Sequence, residues 1–306
     1  MTILDTLAPL ILLIALGAGL ARIRFLGREF MADLNKLAFW ITLPALLFVS
    51  ASRATEPGGQ TVRLVGVLIT SALLITALAW VVGLVLRLPS RARGTFMQSA
   101  FRGNLAYIAI PVLAYSLGKN SMAFATAVVA LVFLMSSYNV LAVLVLQQGS
   151  LASADWRRML RSIVTNPLLL AGLLGLALPA LGLTLPAFAD RALSSLGAAA
   201  VPIALLCIGG ALATTSLRGR LSWIVAVALL KVAVLPILSY GLALALNLGP
   251  EEMRIALVLS ACPTAAAAFI MAKQMGGDEA LASGSIALST VFSAVSLAVV
   301  LWVTGG

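Results

Sequence analysis

The stretch FRGNLAYIAIPVLAYSLGKN, residues 101–120, is almost entirely apolar, yet it contains Arg102, Asn104 and Pro111. A proline inside a helix removes one backbone donor and clashes with the preceding turn. Backbone groups without partners are costly in lipid, so irregular backbone at membrane depth is tolerated where it lines a protein cavity. The stretch therefore predicts a broken helix that faces such a cavity. A simple proline kink, satisfied by neighbouring helices, is the alternative.

The composition is that of a helical membrane protein. Of the 306 residues, 62% are hydrophobic and 10% are charged, and the mean hydropathy is +1.11. The apolar runs have the length of helices that cross a bilayer core about 30 Å thick. The chain has no His, and Cys207 and Cys262 lie in apolar segments, so we expect no metal site and no disulfide. We also expect no cofactor, although a bound Na⁺ stays compatible with the sequence.

Gly, Pro and charged residues divide the chain into ten apolar spans, which predict an all-α polytopic membrane protein. The predicted spans are Leu7–Ala21, Leu34–Val49, Val62–Leu86, Phe96–Leu117, Met122–Leu146, Ile163–Leu181, Ala192–Ala213, Leu221–Leu246, Met253–Gln274 and Ala280–Val303. Asp5 precedes the first apolar run and Arg22 and Arg24 follow it, the reverse of a cleaved signal peptide. We therefore expect a retained first helix with its N-terminus outside.

Basic residues favour one orientation in a cell (inner) membrane, with both termini outside, because cytoplasmic loops are enriched in Lys and Arg. In that orientation twelve basic residues fall inside and five outside. The inside set is Arg22, Arg24, Arg28, Arg87, Arg91, Arg93, Arg157, Arg158, Arg161, Arg218, Arg220 and Lys273; the outside set is Arg53, Arg63, Lys119, Arg191 and Arg254. The net charge of +10 then reflects membrane topology rather than nucleic-acid binding.

The two halves of the chain resemble each other. A cytoplasmic linker, residues 147–162, separates a first five-span repeat, 1–146, from a second, 163–306. Matching residues lie 158 residues apart in the first two pairs and 152 in the last: Pro9 and Gly17 with Pro167 and Gly175, Pro44 with Pro202, and Pro111 with Pro263. Five spans is an odd number, so the repeats must be inverted, as in many secondary transporters with paired broken helices.

Five motifs resemble the auxin efflux carrier family, which includes plant PIN-type carriers and bacterial carriers linked to malonate or malate. They are LNKLAFWITLPALLF (34–48), FRGNLAYIAIPV (101–112), TNPLLLAGLLG (165–175), VPIALLCIGGAL (201–212) and ACPTAAAAFIMAKQMGGDEALASGSIALST (261–290). The resemblance implies ten helices in two inverted five-helix repeats, with broken helices 4 and 9 crossing at their prolines, as in sodium/bile-acid symporter-like folds. It also implies a scaffold of helices 1, 2, 6 and 7 that often forms a homodimer.

The resemblance maps the crossover residues onto Asn104, Pro111 and Pro263. Where plant carriers have PQG after the ninth-span break, this chain has PTA, so that Thr264 replaces the glutamine. That difference puts auxin itself in doubt as the substrate. The long central loop of many plant members is also absent, which favours a bacterial-type member.

Polar residues within the apolar spans are the remaining substrate-binding candidates. Asn139 and Lys231 lie in the middle of their spans, and an intramembrane charge favours a functional role. Helix–helix hydrogen bonding is the alternative for the asparagines, and snorkelling is the alternative for Lys231. Thr264 offers either a ligand hydroxyl or a cap. Secondary candidates are Arg102, Pro44 and Thr290.

The sequence therefore predicts a secondary carrier, with no catalytic residues, that moves a small organic anion across the bilayer by alternating access. No Asp or Glu falls in the middle of a predicted span, which disfavours a carboxylate relay and favours an anionic substrate. A sodium- or proton-coupled symporter of organic acids on the same fold is the alternative. An intramembrane enzyme would need a nucleophile or metal constellation, which the sequence does not suggest.

Overall fold

The structure is a computed structural model that describes residues 3–53, 59–147, 161, 164–214 and 220–305. Most of the predicted linker, 147–162, lies outside these ranges. The described backbone is almost entirely helical and contains no β-strand; an isolated antiparallel bridge joins Gly103 to Thr264. The all-α class predicted from the sequence is confirmed for the described residues.

The helices of the described ranges include six that are long and apolar enough to cross a membrane, namely α2, α3, α6, α8, α9 and α12. In chain order the helices are α1 (Ile3–Arg22), α2 (Glu29–Ser52), α3 (Gly59–Val85), α4 (Ser90–Phe101), α5 (Leu105–Gly118), α6 (Met122–Gln147), α7 (Pro167–Ala180), α8 (Ala187–Ala213), α9 (Leu221–Ala245), α10 (Pro250–Ala261), α11 (Ala267–Gln274) and α12 (Glu279–Val303). These six membrane-length helices make the chain a multi-pass membrane protein.

The predicted fourth and ninth spans are each divided in two. Residues 102–104 separate α4 from α5, and residues 262–266 separate α10 from α11. Both first halves, α4 and α10, contain 12 residues. Their last turns are buried without interruption, from Gly94 to Phe101 and from Ile255 to Ala261. The two broken helices therefore occupy the centre of the fold.

Pro111 does not mark the break of the fourth span, which corrects the prediction from the sequence. The helix is interrupted at residues 102–104, seven residues or more before Pro111, and Pro111 itself lies within α5. Pro263, in contrast, lies inside the break between α10 and α11. The two prolines, which the sequence paired at an offset of 152 residues, thus occupy different positions relative to the two breaks.

Wide helical turns accommodate the prolines within the helices. Three π turns each end two residues before a proline: Ala38–Thr42 before Pro44, Leu105–Ala109 before Pro111, and Leu230–Val234 before Pro236. In an α-helix the proline ring would clash with the carbonyl four residues earlier, whose hydrogen bond it also removes. That carbonyl lies within the π turn in all three cases, and for Pro236 the Ser296 hydroxyl donates a hydrogen bond to it, at Val232. The helix therefore continues past each proline.

Glycines allow two pairs of helices to pack at backbone distance. The first helix, α1, lies along α8, and α7 lies along α2. A Cβ atom at Gly17 would lie 2.3 Å from the Leu206 carbonyl oxygen, and one at Gly175 would lie 2.5 Å from that of Phe48. Side chains on the outer faces of the helices, such as Leu12 and Val295, are exposed, as expected for a surface that contacts lipid.

Two glycines of α1 provide a matched test of this packing. We expect Gly17→Ala to destabilise the protein by about 1–3 kcal/mol, because its Cβ would overlap the Leu206 backbone. Gly19→Ala, in open space two residues later, should be neutral or stabilising by about 0.5–1 kcal/mol, since alanine is the better helix former. Thermal unfolding of both purified variants in detergent measures the difference, and equal midpoints would contradict the packing.

Candidate functional site

The two helix breaks lie against each other and satisfy each other's backbone groups. The Asn104 N–H donates to the Pro263 carbonyl at 2.7 Å, and the Ala265 N–H donates to the Arg102 carbonyl at 2.9 Å. Together these bonds form the antiparallel bridge between Gly103 and Thr264. Four backbone groups that would be unpaired at membrane depth are therefore hydrogen-bonded. We refer to this pairing of residues 102–104 with 263–265 as the bridge.

Side-chain hydrogen bonds also stabilise the bridge. The Thr264 hydroxyl donates to the Ser99 carbonyl at 2.8 Å, and the Thr264 N–H donates to the Ser289 hydroxyl at 3.0 Å. One turn away, the Gln98 amide donates to the Ala268 carbonyl at 2.9 Å. Thr264 is fully buried. These contacts tie α4, α11 and α12 to one another around the bridge.

The two breaks pack closely at Gly103. A Cβ atom there would lie 2.7 Å from the Cys262 sulfur and 3.4 Å from the Leu259 carbonyl oxygen. A side chain at position 103 would therefore push the breaks apart. The interruption of the helix thus coincides with this close packing at Gly103 and not with Pro111.

A cavity of about 340 Å³ lies beside the bridge. Its polar lining comes from four asparagines, one arginine and two tyrosines: Asn35, Arg102, Asn104, Tyr107, Tyr138, Asn139 and Asn166. We call it the polar cavity. Its other lining residues are apolar side chains and glycine, among them Phe39, Met135 and Ile270. None of the described residues that line this cavity is acidic. The cavity is thus rich in hydrogen-bond donors and has one cationic side chain.

The position of Arg102 is fixed by two hydrogen bonds. Its Nη2 donates to the Asn139 Oδ1 at 2.5 Å, and its Nη1 donates to the Tyr138 carbonyl at 3.2 Å. The residue is buried, and neither of the ion pairs seen in the described part of the chain involves it. A guanidinium group has five N–H donors, so further donors are left for a ligand.

Two of the lining asparagines cap helices. The Asn104 Oδ1 accepts a hydrogen bond from the Tyr107 N–H at 3.3 Å, at the start of α5. The Asn166 Oδ1 accepts from the N–H groups of Leu168 and Leu169, at the start of α7. Since the oxygens are used in this way, the amide NH₂ groups are the donors available to the cavity.

The structure brings together three of the residues predicted from the sequence, namely Arg102, Asn104 and Asn139. The other candidates lie outside the cavity lining: Pro44, Pro111, Lys231, Pro263, Thr264 and Thr290. Pro263 and Thr264 belong to the bridge, and the Thr290 hydroxyl donates to Ile286 of its own helix. A role of any of these residues in substrate binding stays a prediction.

Sequence reasoning did not single out Asn35, Tyr107 and Asn166. Asn35 lies in a charged segment, DLNKL, at the start of a span, where a polar residue is ordinary. Asn166 precedes Pro167, and an Asn-Pro pair is a usual beginning of a helix. The capping signal at Asn166 could have been recognised, but its place beside the cavity depends on the tertiary fold.

A larger cavity of about 730 Å³ adjoins the first, since Asn35 and Ala266 line both. It is lined by Arg22 at the end of α1, by the following loop including Arg24, and by Cys207 on α8. Arg24 has a φ of 58°, in the left-handed region. We call this cavity the vestibule.

At the other end of α2, Arg53 joins three segments. Its Nη2 donates to the Asp190 carboxylate at 3.0 Å and to the Ser194 hydroxyl at 3.3 Å. Its Nη1 donates to the Asn120 Oδ1 at 3.2 Å. The arginine therefore connects α2 and α8 to the corner between α5 and α6, on the side away from the vestibule.

A comparison with known proteins identifies the family of this sequence. The membrane transport protein family matches residues 2–301, nearly the whole chain. This chain belongs to that family. The resemblance to auxin efflux carriers seen in the motifs is thereby confirmed.

Curated relatives cover nearly the whole length at low identity. An uncharacterized transporter of Methanocaldococcus jannaschii is 22% identical over 311 residues, covering 98% of each chain. A Rhizobium meliloti protein named "Putative malonate transporter" is 27% identical over 300 residues, covering 94% of this chain and 92% of its own. An uncharacterized transporter of Methanothermobacter thermautotrophicus is 26% identical over 302 residues, covering 96% and 95%. The family and these relatives are transporters, so the protein is a membrane transporter and not an enzyme.

Two threonine variants test whether Thr264 maintains the bridge. Thr264→Val removes the hydroxyl that donates to Ser99, and leaving a buried carbonyl unpaired costs about 1–3 kcal/mol. We expect a lower thermal unfolding midpoint, which Thr264→Ser should largely restore. Thr290→Val is the control, because that hydroxyl bonds within its own helix. If Thr264→Val unfolds at the same temperature as the parent, as the Thr290→Val control should, then the Thr264 hydroxyl does not stabilise the bridge.

Proposed function

We propose that this protein is a secondary carrier that moves a small organic anion, a carboxylate, by alternating access. The observation behind the proposal is the polar cavity beside the bridge. It contains the Arg102 guanidinium and several asparagine amides, and no acidic side chain among its described lining residues. An anion in a low-dielectric cavity needs fixed donors, because a buried charge without partners is very costly.

Arg102 fits the recognition of a carboxylate. A planar guanidinium group can donate two parallel hydrogen bonds to the two oxygens of a carboxylate, which a lysine cannot. Asn139 and the Tyr138 carbonyl hold the guanidinium from one side, which preorganises the group. Asn104 also lines the cavity, and its amide NH₂ offers a second donor.

The second carboxylate of a dicarboxylate would find further donors in the same cavity. Asn35 and Asn166 line the cavity from α2 and from the start of α7. The cavity of about 340 Å³ is at the small end of ligand sites, which suits a compact metabolite. The name of the Rhizobium meliloti relative, a malonate transporter, supports a dicarboxylate of this size.

The proposed architecture is ten transmembrane helices in two inverted repeats, 1–146 and 163–306. Equivalent packing contacts support it. Gly17 packs against Leu206, and Gly175 packs against Phe48. Gly175 lies 158 residues after Gly17, and Leu206 lies 158 residues after Phe48, so the two contacts are equivalent in the two repeats. This is the offset at which the sequence itself repeats. The first halves of the broken helices, α4 and α10, have equal lengths, which supports the same symmetry.

Alternating access requires one open and one closed side. The vestibule at Arg22 and Arg24 adjoins the polar cavity, whereas Arg53 joins three segments at the other end of α2. We propose that the protein lies in the cell (inner) membrane with both termini outside, so that the vestibule opens to the cytoplasm. The scaffold helices α1, α2, α7 and α8 are the proposed surface for a homodimer.

Substitutions at the cavity test the proposed site with malonate as the probe. A ligand raises the unfolding midpoint of the protein that binds it. Asn104→Ala should weaken malonate binding roughly 10- to 150-fold, because a hydrogen bond to a charged group contributes about 1.5–3 kcal/mol. Arg102→Gln should weaken it at least as much. Asn104→Ser distinguishes the two roles of Asn104, since a serine keeps the helix cap but removes the amide donor.

The matched control is Lys36→Met, which removes an exposed positive charge one residue from Asn35 and outside the polar cavity. It should bind malonate like the parent. If Arg102→Gln and Asn104→Ser also bind like the parent, then the cavity is not the carboxylate site. If malonate stabilises the parent only in the presence of Na⁺, the protein is instead a sodium-coupled symporter.

Labelling of a single cysteine tests the proposed topology. We expect a cysteine introduced at Thr304, in a background without Cys207 and Cys262, to react with a membrane-impermeant maleimide added outside intact cells. A cysteine at Arg22, at the other end of the helix framework, should react only after the membrane is opened. If Arg22→Cys and Thr304→Cys both react only from the cytoplasmic side, the number of spans is not ten; if their sides are exchanged, the proposed orientation is wrong.

A further inference from the structure

Lys231 is a fully buried cation that the polar cavity does not use. It lies in the π turn Leu230–Val234 of α9, and its Nζ donates to the Ser260 carbonyl at 2.5 Å. Ser260 belongs to the last turn of α10, immediately before the break. The lysine does not line the polar cavity or the vestibule. Its ammonium group therefore lies in the protein interior, next to the last turn of α10 before the break.

The break leaves the Ser260 carbonyl without its usual partner. In a continuous helix this carbonyl would accept a hydrogen bond from the N–H of Thr264, four residues later. The Thr264 N–H instead donates to the Ser289 hydroxyl. Unpaired carbonyls at the end of a helix concentrate partial negative charge. The Lys231 ammonium satisfies the Ser260 carbonyl and balances this charge.

No carboxylate takes part in this contact. In the described part of the chain, ion pairs with carboxylates are made by Lys36 and Arg53, not by Lys231. The acidic residues of α10 and α12, such as Glu252 and Glu279, lie in their first turns. The counter-charge of Lys231 is thus a helix C-terminus. Broken helices of other secondary transporters present such ends, with unwound carbonyls, to a bound Na⁺ or proton.

We propose that the ammonium group of Lys231 is a resident cation, which takes the place of a dissociable Na⁺ behind the break, so that transport does not depend on Na⁺. The position fits this role because Lys231 donates to Ser260, three residues before Pro263. The Pro263 carbonyl in turn accepts the hydrogen bond of Asn104 in the bridge. The Ser296 hydroxyl donates to Val232 in the same π turn, so α9, α10 and α12 meet at this point.

This inference separates into a part about stability and a part about transport. A resident cation makes the folded state independent of Na⁺, which can be measured without any substrate. The consequence for transport rests on the proposed function and needs malonate uptake. A failure of malonate to bind would therefore overturn the proposed function without affecting the stability result.

The first experiment compares the thermal unfolding of the purified parent in equal concentrations of NaCl and choline chloride. We expect the same midpoint in both salts, because the site is already occupied by an ammonium group. The same pair of salts is then used outside proteoliposomes during malonate uptake, and equal rates are expected. A parent that is specifically stabilised by Na⁺, or that takes up malonate only with Na⁺, overturns the inference without any variant.

The second experiment removes the ammonium group of Lys231. Lys231→Ala removes the side chain beyond Cβ, a fragment that n-propylammonium can replace. We expect a lower unfolding midpoint in choline chloride, with recovery of most of the loss in n-propylammonium chloride and a smaller recovery in NaCl. Lys231→Met is the matched control, since it fills the space without a charge; it should be destabilised and should not be rescued by either cation.

Two results of the second experiment would overturn the inference. One is a Lys231→Met variant as stable as the parent, since the charge would then balance nothing. The other is a Lys231→Ala variant that is destabilised yet responds equally to choline, Na⁺ and n-propylammonium, because a cation site must distinguish among them. Lys273→Ala, which removes an exposed lysine near the end of α11, controls for a general effect of lost charge.

Discussion

The structure depends on one constraint, which is that backbone polar groups at membrane depth need partners within the protein. Two helices stop near the centre of the fold, and each supplies the hydrogen bonds that the other lacks, through Asn104 with Pro263 and Ala265 with Arg102. The polar cavity lies beside these paired breaks. The guanidinium of Arg102 and the amide of Asn104 face this cavity because they belong to the break itself.

The class of the fold could be predicted from hydropathy, but the position of the first break could not. The sequence signal was Pro111, and prolines are reliable helix breakers in water. In this protein a π turn precedes Pro44, Pro111 and Pro236, and it accommodates each ring without ending the helix. The break occurs at Gly103 instead, where close contact with Cys262 excludes a side chain. That contact joins residues far apart in the chain, so no local pattern reports it.

The site could be predicted where polar residues are rare and not where they are common. Arg102, Asn104 and Asn139 stand out within apolar runs, and all three line the cavity. Asn35 and Asn166 lie near the ends of spans, where polar residues are expected, so their presence in the same cavity comes from tertiary packing. Lys231 is as conspicuous in the sequence as Arg102, yet it bonds to the protein interior. Hydropathy identifies a buried charge but does not distinguish a ligand-facing one from a structural one.

The π turns also determine how each helix is phased. A π turn contains one residue more than an α turn, so every side chain that follows it is rotated by about 100° relative to an uninterrupted helix. In α9 the buried faces before and after Leu230–Val234 are therefore out of phase. A single 3.6-residue period cannot be fitted through the whole helix. A deletion of one residue within this π turn would hardly change the hydropathy or the length of α9. It would, however, rotate either Lys231 or the side chains after the turn to a different face of the helix. In these helices the residue count is structural information in its own right.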